Sequence, residues 1–343
     1  MLSRATRNMI ILFVLLLIAL LLGAAWYSKR YRAQTASGLP EASSGQQALA
    51  TRLEAHVQML AERIGERNMW HPERLEQAAL YIEGQLAEAG CSIEDQAYQV
   101  RGQTVRNIVA RIEGRERPEE IVVIGAHYDS VFGSPGANDN ATGVAVLLEL
   151  ARALCCERPS RTLRLVAFVN EEPPFFKTRD MGSRVYARRA KQRGEKIVAM
   201  VSLETIGYYS EAEGSQSFPF PLLRFFYPTR ANFIAFVANF RSRALLRQAL
   251  KAFREGSTFP AEGLVAPEWL IGVDWSDHWS FWRSGYPAVM ITDTALFRYR
   301  HYHSPKDTPD QINYQTLSRV STGLVGMTKR LADSSRPTLT GKP

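Results

Sequence analysis

His127, Asp129 and Asp139 fall within one short stretch, IVVIGAHYDSVFGSPGANDNATG at 121–143. Their side chains are of the kinds that bind metal ions or carry protons. Glu171 and Glu172 follow the apolar run 163–169, and Glu204 follows the run 197–203. His301 and His303 stand in RYRHYHSPKDT at 298–308. His127, Glu171, Glu172 and Glu204 each come just past a β-like run, so a parallel sheet would carry them to one rim. Buried together, such carboxylates would raise one another's pKa and destabilise the fold. Two divalent cations would remove that cost. Oxygen and imidazole donors without thiolate suit zinc in an open, catalytic site. The adjacent pair Glu171-Glu172 can divide its work, one carboxylate on metal and the other free to take a proton from water.

The elements that must position these groups can be read from periodicity. Apolar residues at helical spacing predict helices over 49–64 and 72–89, the second opened by Pro72 and stopped by Gly90. Strands are expected over 93–100 and 105–112, antiparallel neighbours at the sheet edge, with the charged segment 113–120 turning into the central strand 121–124. A helix over 144–154, a strand over 163–169, a basic helix over 182–193 and a strand over 197–203 follow. Residues 211–230 form a Pro- and aromatic-rich excursion well placed to cover a site. Beyond it come a strand over 232–238, helices over 241–254 and 274–282, a strand over 288–292 and a closing helix over 316–331. This alternation predicts an α/β fold, a mostly parallel central sheet with helices on both faces.

The ordered set of motifs resembles the zinc exopeptidases of the aminopeptidase Y type, the twenty-eighth metallopeptidase family, which includes glutamate carboxypeptidases and glutaminyl cyclases. The likeness covers 52–331 and rests on HYDS at 127–130, NDNATG at 138–143, NEE at 170–172, VSLETIGYY at 201–209 and YHSPKDT at 302–308. SDHWSFWRSGYPAVMITD at 276–293 is similar to a further segment of that family. The resemblance implies two Zn2+ ions bridged by Asp139, with His127 and Glu204 on one and Glu172 and His303 on the other. It makes Glu171 the general base and Asp129 the partner that orients His127. Tyr302 would hydrogen-bond the oxyanion, and His278 would line the substrate cleft or serve the structure. His301 matches no ligand and reads as a loop residue. The implied chemistry is metal-assisted hydrolysis of a peptide, with Glu171 taking the proton of the attacking water and returning it to the departing amine.

Two positions depart from the pattern. Glu204 stands where Asp is common, and Pro173-Pro174-Phe175-Phe176 replaces a Gly-rich turn, so side-chain preference does not carry over. An aminopeptidase is the expected activity. Carboxypeptidase and glutaminyl cyclase are the enzymatic alternatives, the cyclase disfavoured by the peptidase form of the 138–143 loop. A catalytically dead binding ectodomain is disfavoured by the complete ligand set.

The formal charge of +8 does not point to nucleic acid. Arg4, Arg7, Lys29, Arg30 and Arg32 carry five of those charges and flank an apolar run, with no acidic residue before Glu41. That placement suits anionic lipid headgroups. Residues 9–27 are apolar and long enough for a membrane anchor, with Trp26 and Tyr27 at an interfacial position. A cleaved signal ending near Gly23-Ala24-Ala25 is the competing reading. The expected organisation is a basic N-terminus (1–8), a transmembrane helix (9–27), a linker (28–47), an extracytoplasmic zinc peptidase domain (48–332) and a tail (333–343). Cleavage would instead leave a secreted or periplasmic enzyme. Cys155 and Cys156 are adjacent, too close to pair with each other. Cys91 could pair with one of them in an oxidising compartment, but an odd count argues against a disulfide framework, and buried packing is the expected role.

Overall fold

The computed structural model describes residues 3–31 and 39–333. Residues 32–38 of the expected linker and 334–343 of the tail lie outside the described residues. Helix α1 (Arg4–Tyr31) holds the apolar run. Among the described residues no helix is long and apolar enough to cross a membrane. Several side chains of 9–27, Leu17, residues 20–22 and residues 24–27, are outside the described ones, so the anchor expectation falls largely beyond them.

Ser43 opens α2 (Ser44–Gln58) through a capping box with Gln46, and Pro72 opens α3 (Pro72–Glu88). Strands β1 (Ser92–Val100) and β2 (Gln103–Ile112) pair antiparallel across a two-residue turn. Arg101 (φ 50°) and Gly102 (φ 82°) are both left-handed there, as a tight hairpin requires. The chain continues through β3 (Arg117–His127), α4 (Thr142–Leu154), β4 (Arg161–Phe168), α5 (Gly182–Gln192) and β5 (Lys196–Glu204). It ends with β6 (Ile234–Ala238), α6 (Arg243–Gly256), β7 (Ala261–Val265), α7 (His278–Arg283), β8 (Ala288–Thr292) and α8 (Tyr314–Asp333).

The eight strands form one sheet in the order β1-β2-β4-β3-β5-β8-β6-β7. Its middle, β4-β3-β5-β8, is parallel, while β1-β2, β2-β4 and β6-β8 are antiparallel. The β6-β7 pair is parallel as well, so four of the seven pairings are parallel and the sheet is mostly parallel, as expected. Helices on both faces were expected and are present. Val122 and Ile124 of β3 pack with α2, α3, α4, α6 and α8 on one face, and Ile121 and Val123 with α5 and α7 on the other. An unbroken β-branched run suits a strand buried on both sides, each such side chain contributing about 1.5–3 kcal/mol. Four parallel strands thus end at one rim, with His127 and Glu204 as the last residues of β3 and β5 and residues 170–172 and Asp293 just past β4 and β8.

Cys91 and Cys155 form a disulfide, Cα–Cα 5.1 Å, and Cys156 is exposed and free. The pairing that the sequence leaves open for Cys91 is thus made with Cys155, which corrects the packing role expected of these two. The bridge ties the segment after α3 to the end of α4.

Candidate metal centre

His127 is the last residue of β3, and its ring lies fully inside the protein. Its Nδ1 faces the main-chain carbonyl of Asp129 at 3.1 Å. A carbonyl only accepts, so Nδ1 carries the proton and Nε2 is left to act as a ligand. The Asp129 carboxylate, expected to orient this ring, stands farther off at 3.6 Å. It instead accepts from the backbone N–H groups of Glu171 and Glu172, both at 3.1 Å. Asp129 therefore holds both sites together: the imidazole by its main chain, the Glu-Glu turn by its side chain.

Asp139 is placed by the NDNATG loop between β3 and α4. The Asp307 carboxylate accepts from the N–H groups of Asn138 (2.8 Å) and Asp139 (3.1 Å) and from Tyr299 Oη (2.9 Å). Asn138 donates to Asp293, and Asn140 donates to the Leu203 carbonyl while accepting from Gly143 and Thr205. Gly143 is required by this closeness: a Cβ there would lie 2.4 Å from Asn140 Oδ1 and 2.8 Å from the Leu203 carbonyl. Ser276 donates to Glu204 at 2.7 Å and fixes its carboxylate.

The expected ligands converge. His127 Nε2 lies 3.2 Å from Asp139 Oδ1 and 3.4 Å from Glu204 Oε2. His303 Nε2 lies 3.0 Å from Asp139 Oδ2 and 3.3 Å from Glu172 Oε2. Three groups could hold a metal ion: His127–Asp139–Glu204 and Asp139–Glu172–His303, which share Asp139, and His127–Glu171–Glu172. Glu171 Oε2 is 4.0 Å from His127 Nε2, beside the two triads that share Asp139. His127 Nε2, both Asp139 oxygens and Glu172 Oε1 are buried without a hydrogen-bond partner among the described residues, close though they lie to one another. Buried polar atoms left this way are costly, and a cation among them is what satisfies them. The donor set of carboxylate oxygens and imidazole nitrogens fits zinc.

Titration behaviour follows from the same crowding. Burial, reinforced by Asp139, lifts Glu172 to about 7. Burial also raises Glu171 and Glu204, against the pull of His127. Asp139 is pushed up by burial but held below its usual range by the imidazoles of His127 and His303. His303 is carried to about 11, because Asp139 and Glu172 outweigh its burial. The cluster thus gathers positive charge wherever it can.

Tyr302 stacks on His303 with ring centroids 3.9 Å apart, and burial among the carboxylates raises its phenol well above 10, so it stays a donor. His278 does not reach the cleft. Its Nε2 bonds the Val273 carbonyl at 2.8 Å, its ring is edge-on to Trp282, and burial lowers its pKa to about 4. Its neighbours Ser276 and Asp277 face the centre instead, and burial holds the Asp277 carboxyl at about 7. His301 is partly exposed and contacts Arg300, as a loop residue should. Beside Glu204 and Tyr302 opens an apolar pocket of about 90 Å³, walled by Phe218, Leu223, Phe233, Val237, Met290 and Phe297.

A mixed sheet whose parallel strand ends present two carboxylate–imidazole triads around a shared aspartate defines a metal-dependent hydrolase of the zinc peptidase class. Residues 107–327 match Peptidase family M28, and the chain belongs to that family. It is 36% identical over 324 residues to the uncharacterized protein YfbL of Escherichia coli, covering 92% of this chain and 95% of that one. It is 30% identical over 233 residues to a probable zinc metalloprotease of Leptosphaeria maculans, 62% of this chain but only 52% of that protein. Among solved structures, the zinc aminopeptidase BSAP from Bacillus subtilis superposes with TM-score 0.66 at 15% identity, over 85% of this chain and 97% of that one. A glutaminyl cyclase from Tannerella forsythia gives 0.60 at 20% identity, over 82% and 98%. At these identities the structural likenesses establish the fold.

Proposed function

We propose that the protein is a di-zinc aminopeptidase that removes large apolar residues from the free N-terminus of peptides. The observation that carries this reading is the cavity beside Glu204 and Tyr302: its walls are apolar and no described residue lining it is basic. A carboxypeptidase must seat a C-terminal carboxylate, for which Arg or Lys is suited. The charged groups that line it are the carboxylates Glu204 and Glu262, which attract an α-ammonium.

His127, Asp139 and Glu204 would hold one zinc ion, and Asp139, Glu172 and His303 the other. Zinc bound there supplies Lewis acidity to the scissile carbonyl and the attacking water. Glu171, held by the Asp129 clamp on its own amide, takes the proton of that water and hands it to the departing amine. Tyr302, kept protonated, donates to the oxyanion. Leucyl and phenylalanyl amides with a free amine should be hydrolysed, their N-acetylated forms should not, and N-terminal glutamine should not be cyclised. Equal cleavage of free and acetylated substrates would remove the aminopeptidase assignment.

We propose further that residues 9–27 anchor an extracytoplasmic peptidase domain. Helix α1 has 28 residues, about 42 Å at 1.5 Å each, and its side chains at 9–16 are exposed and apolar. The Cys91–Cys155 bridge fits an oxidising compartment. Full-length protein should stay in the membrane pellet through high-salt and carbonate washes. A mature N-terminus near Trp26 would show a cleaved signal instead.

A further inference from the structure

Arg67 lies between α2 and α3, outside the region that matches the family. With Arg161 it is among the largest fully buried side chains of the described residues, and it has no exposed surface. Its guanidinium donates only to main-chain carbonyls. The partners are Tyr128 (2.6 Å), Pro135 (2.6 Å), Gly136 (2.9 Å), Leu60 (3.2 Å) and Gly65 (3.2 Å). Its own main chain doubles the tie, donating to Ser130 Oγ at 3.1 Å and accepting from the Ser130 N–H at 3.0 Å. No carboxylate lies within ion-pair distance of it among the described residues, although Asp129, Asp139, Glu172 and Asp307 all act on its charge.

Those partners have a pattern. Tyr128 sits between His127 and Asp129, and Pro135 and Gly136 lie just before Asp139. One side chain therefore bolts together the two ends of the loop that delivers three residues of the centre. The loop runs through Ser130, Gly133, Ser134, Pro135 and Gly136 and pairs with no strand. Ser130 Oγ donates to the Ser134 carbonyl and Asn68 to the Ser130 carbonyl, while Arg67 joins the loop's two ends directly. Burying a guanidinium costs several kcal/mol in lost hydration, which packing alone would not require. A planar fork with five N–H groups can reach carbonyls on both sides of a loop, and a lysine ammonium, with three donors on one atom, cannot.

We infer that Arg67 is a positioning residue of the metal centre, setting the separation of His127 and Asp139 through the carbonyls of Tyr128, Pro135 and Gly136. The inference rests on the metal reading proposed above. Its test is zinc titration of full-length wild type and Arg67→Lys against a competing chromophoric chelator, together with kcat, KM and thermal melting. Arg67→Lys keeps the charge and loses the fork. It should fold yet bind zinc ~10–100-fold more weakly, as loss of an outer-shell partner typically does. Its kcat should fall at limiting zinc, with KM little changed, and recover as zinc is raised. Wild-type zinc affinity in Arg67→Lys would overturn the inference, as would a loss of activity that merely tracks an unfolded fraction. If Arg67→Lys does not fold, Ser130→Ala loosens the same tie more gently, and unchanged zinc affinity there is equally fatal. Absence of zinc binding in the wild type would instead overturn the metal reading itself.

Discussion

Glu171→Gln is expected to retain zinc and lose turnover. Amide and carboxylate have nearly the same shape, so the turn held by Asp129 should persist, since that clamp grips the backbone amides of Glu171 and Glu172 and not the Glu171 side chain. What disappears is the proton acceptor. General-base help is worth about 10²–10⁴-fold, and kcat should fall by that factor with KM little affected. Glu171 belongs only to the third candidate group, with His127 and Glu172, and neither triad that shares Asp139 needs it. Zinc content per chain should therefore equal wild type, and added zinc at 100 Kd should raise stability by about 2.7 kcal/mol per site in both. Residual activity within a factor of about three of wild type would mean that another group takes the proton, and Asp277, buried nearby with a carboxyl near 7, would be the one to test next.

How far this centre could be read from the chain depends on what each residue works upon. His127, Glu171, Glu172 and Glu204 are legible because strand ends announce themselves: an apolar β-branched run stops, and a chemically active side chain follows. Their convergence needs only the rule that parallel strands share a carboxyl rim. Arg67 works on main-chain carbonyls, which have no identity in a sequence, and so nothing marks it. SDH at 276–278 misdirects for a related reason. Imidazole draws notice by its chemistry, but the start of α7 turns His278 inward to the Val273 carbonyl and leaves Ser276 and Asp277 facing the centre. Strand β7 escapes because Glu262 and Gly263 interrupt a five-residue run that only its pairing with β6 makes a strand. The antiparallel joins of β2 to β4 and β6 to β8 depend on long-range pairing, which periodicity does not encode. A Cys91 bridge could be suspected but not chosen, because an odd count leaves Cys155 and Cys156 as rival partners and distance across the fold decides between them.

Asp139→Asn should have the opposite signature, losing metal together with activity. Asp139 presents one oxygen to His127 and the other to His303, and no other residue belongs to both facing triads. An asparagine there keeps the volume but offers one neutral oxygen and an NH₂ group, whose hydrogens would face a cation. Neither ion then keeps its full ligand set, and the charge that held them together is gone. The backbone should remain in place, because Asp307 grips the amides of residues 138 and 139 and Asn140 bonds the Leu203 carbonyl. The variant is expected to give a wild-type circular dichroism spectrum and to leave dialysis with almost no zinc, and added zinc should not raise its melting temperature. Its kcat should lie at or below that of Glu171→Gln, beyond the reach of excess zinc. Elemental analysis of the two variants side by side decides the assignment of roles. Zinc lost equally from both would make Glu171 a ligand, and zinc kept by both would deny Asp139 its place between the ions.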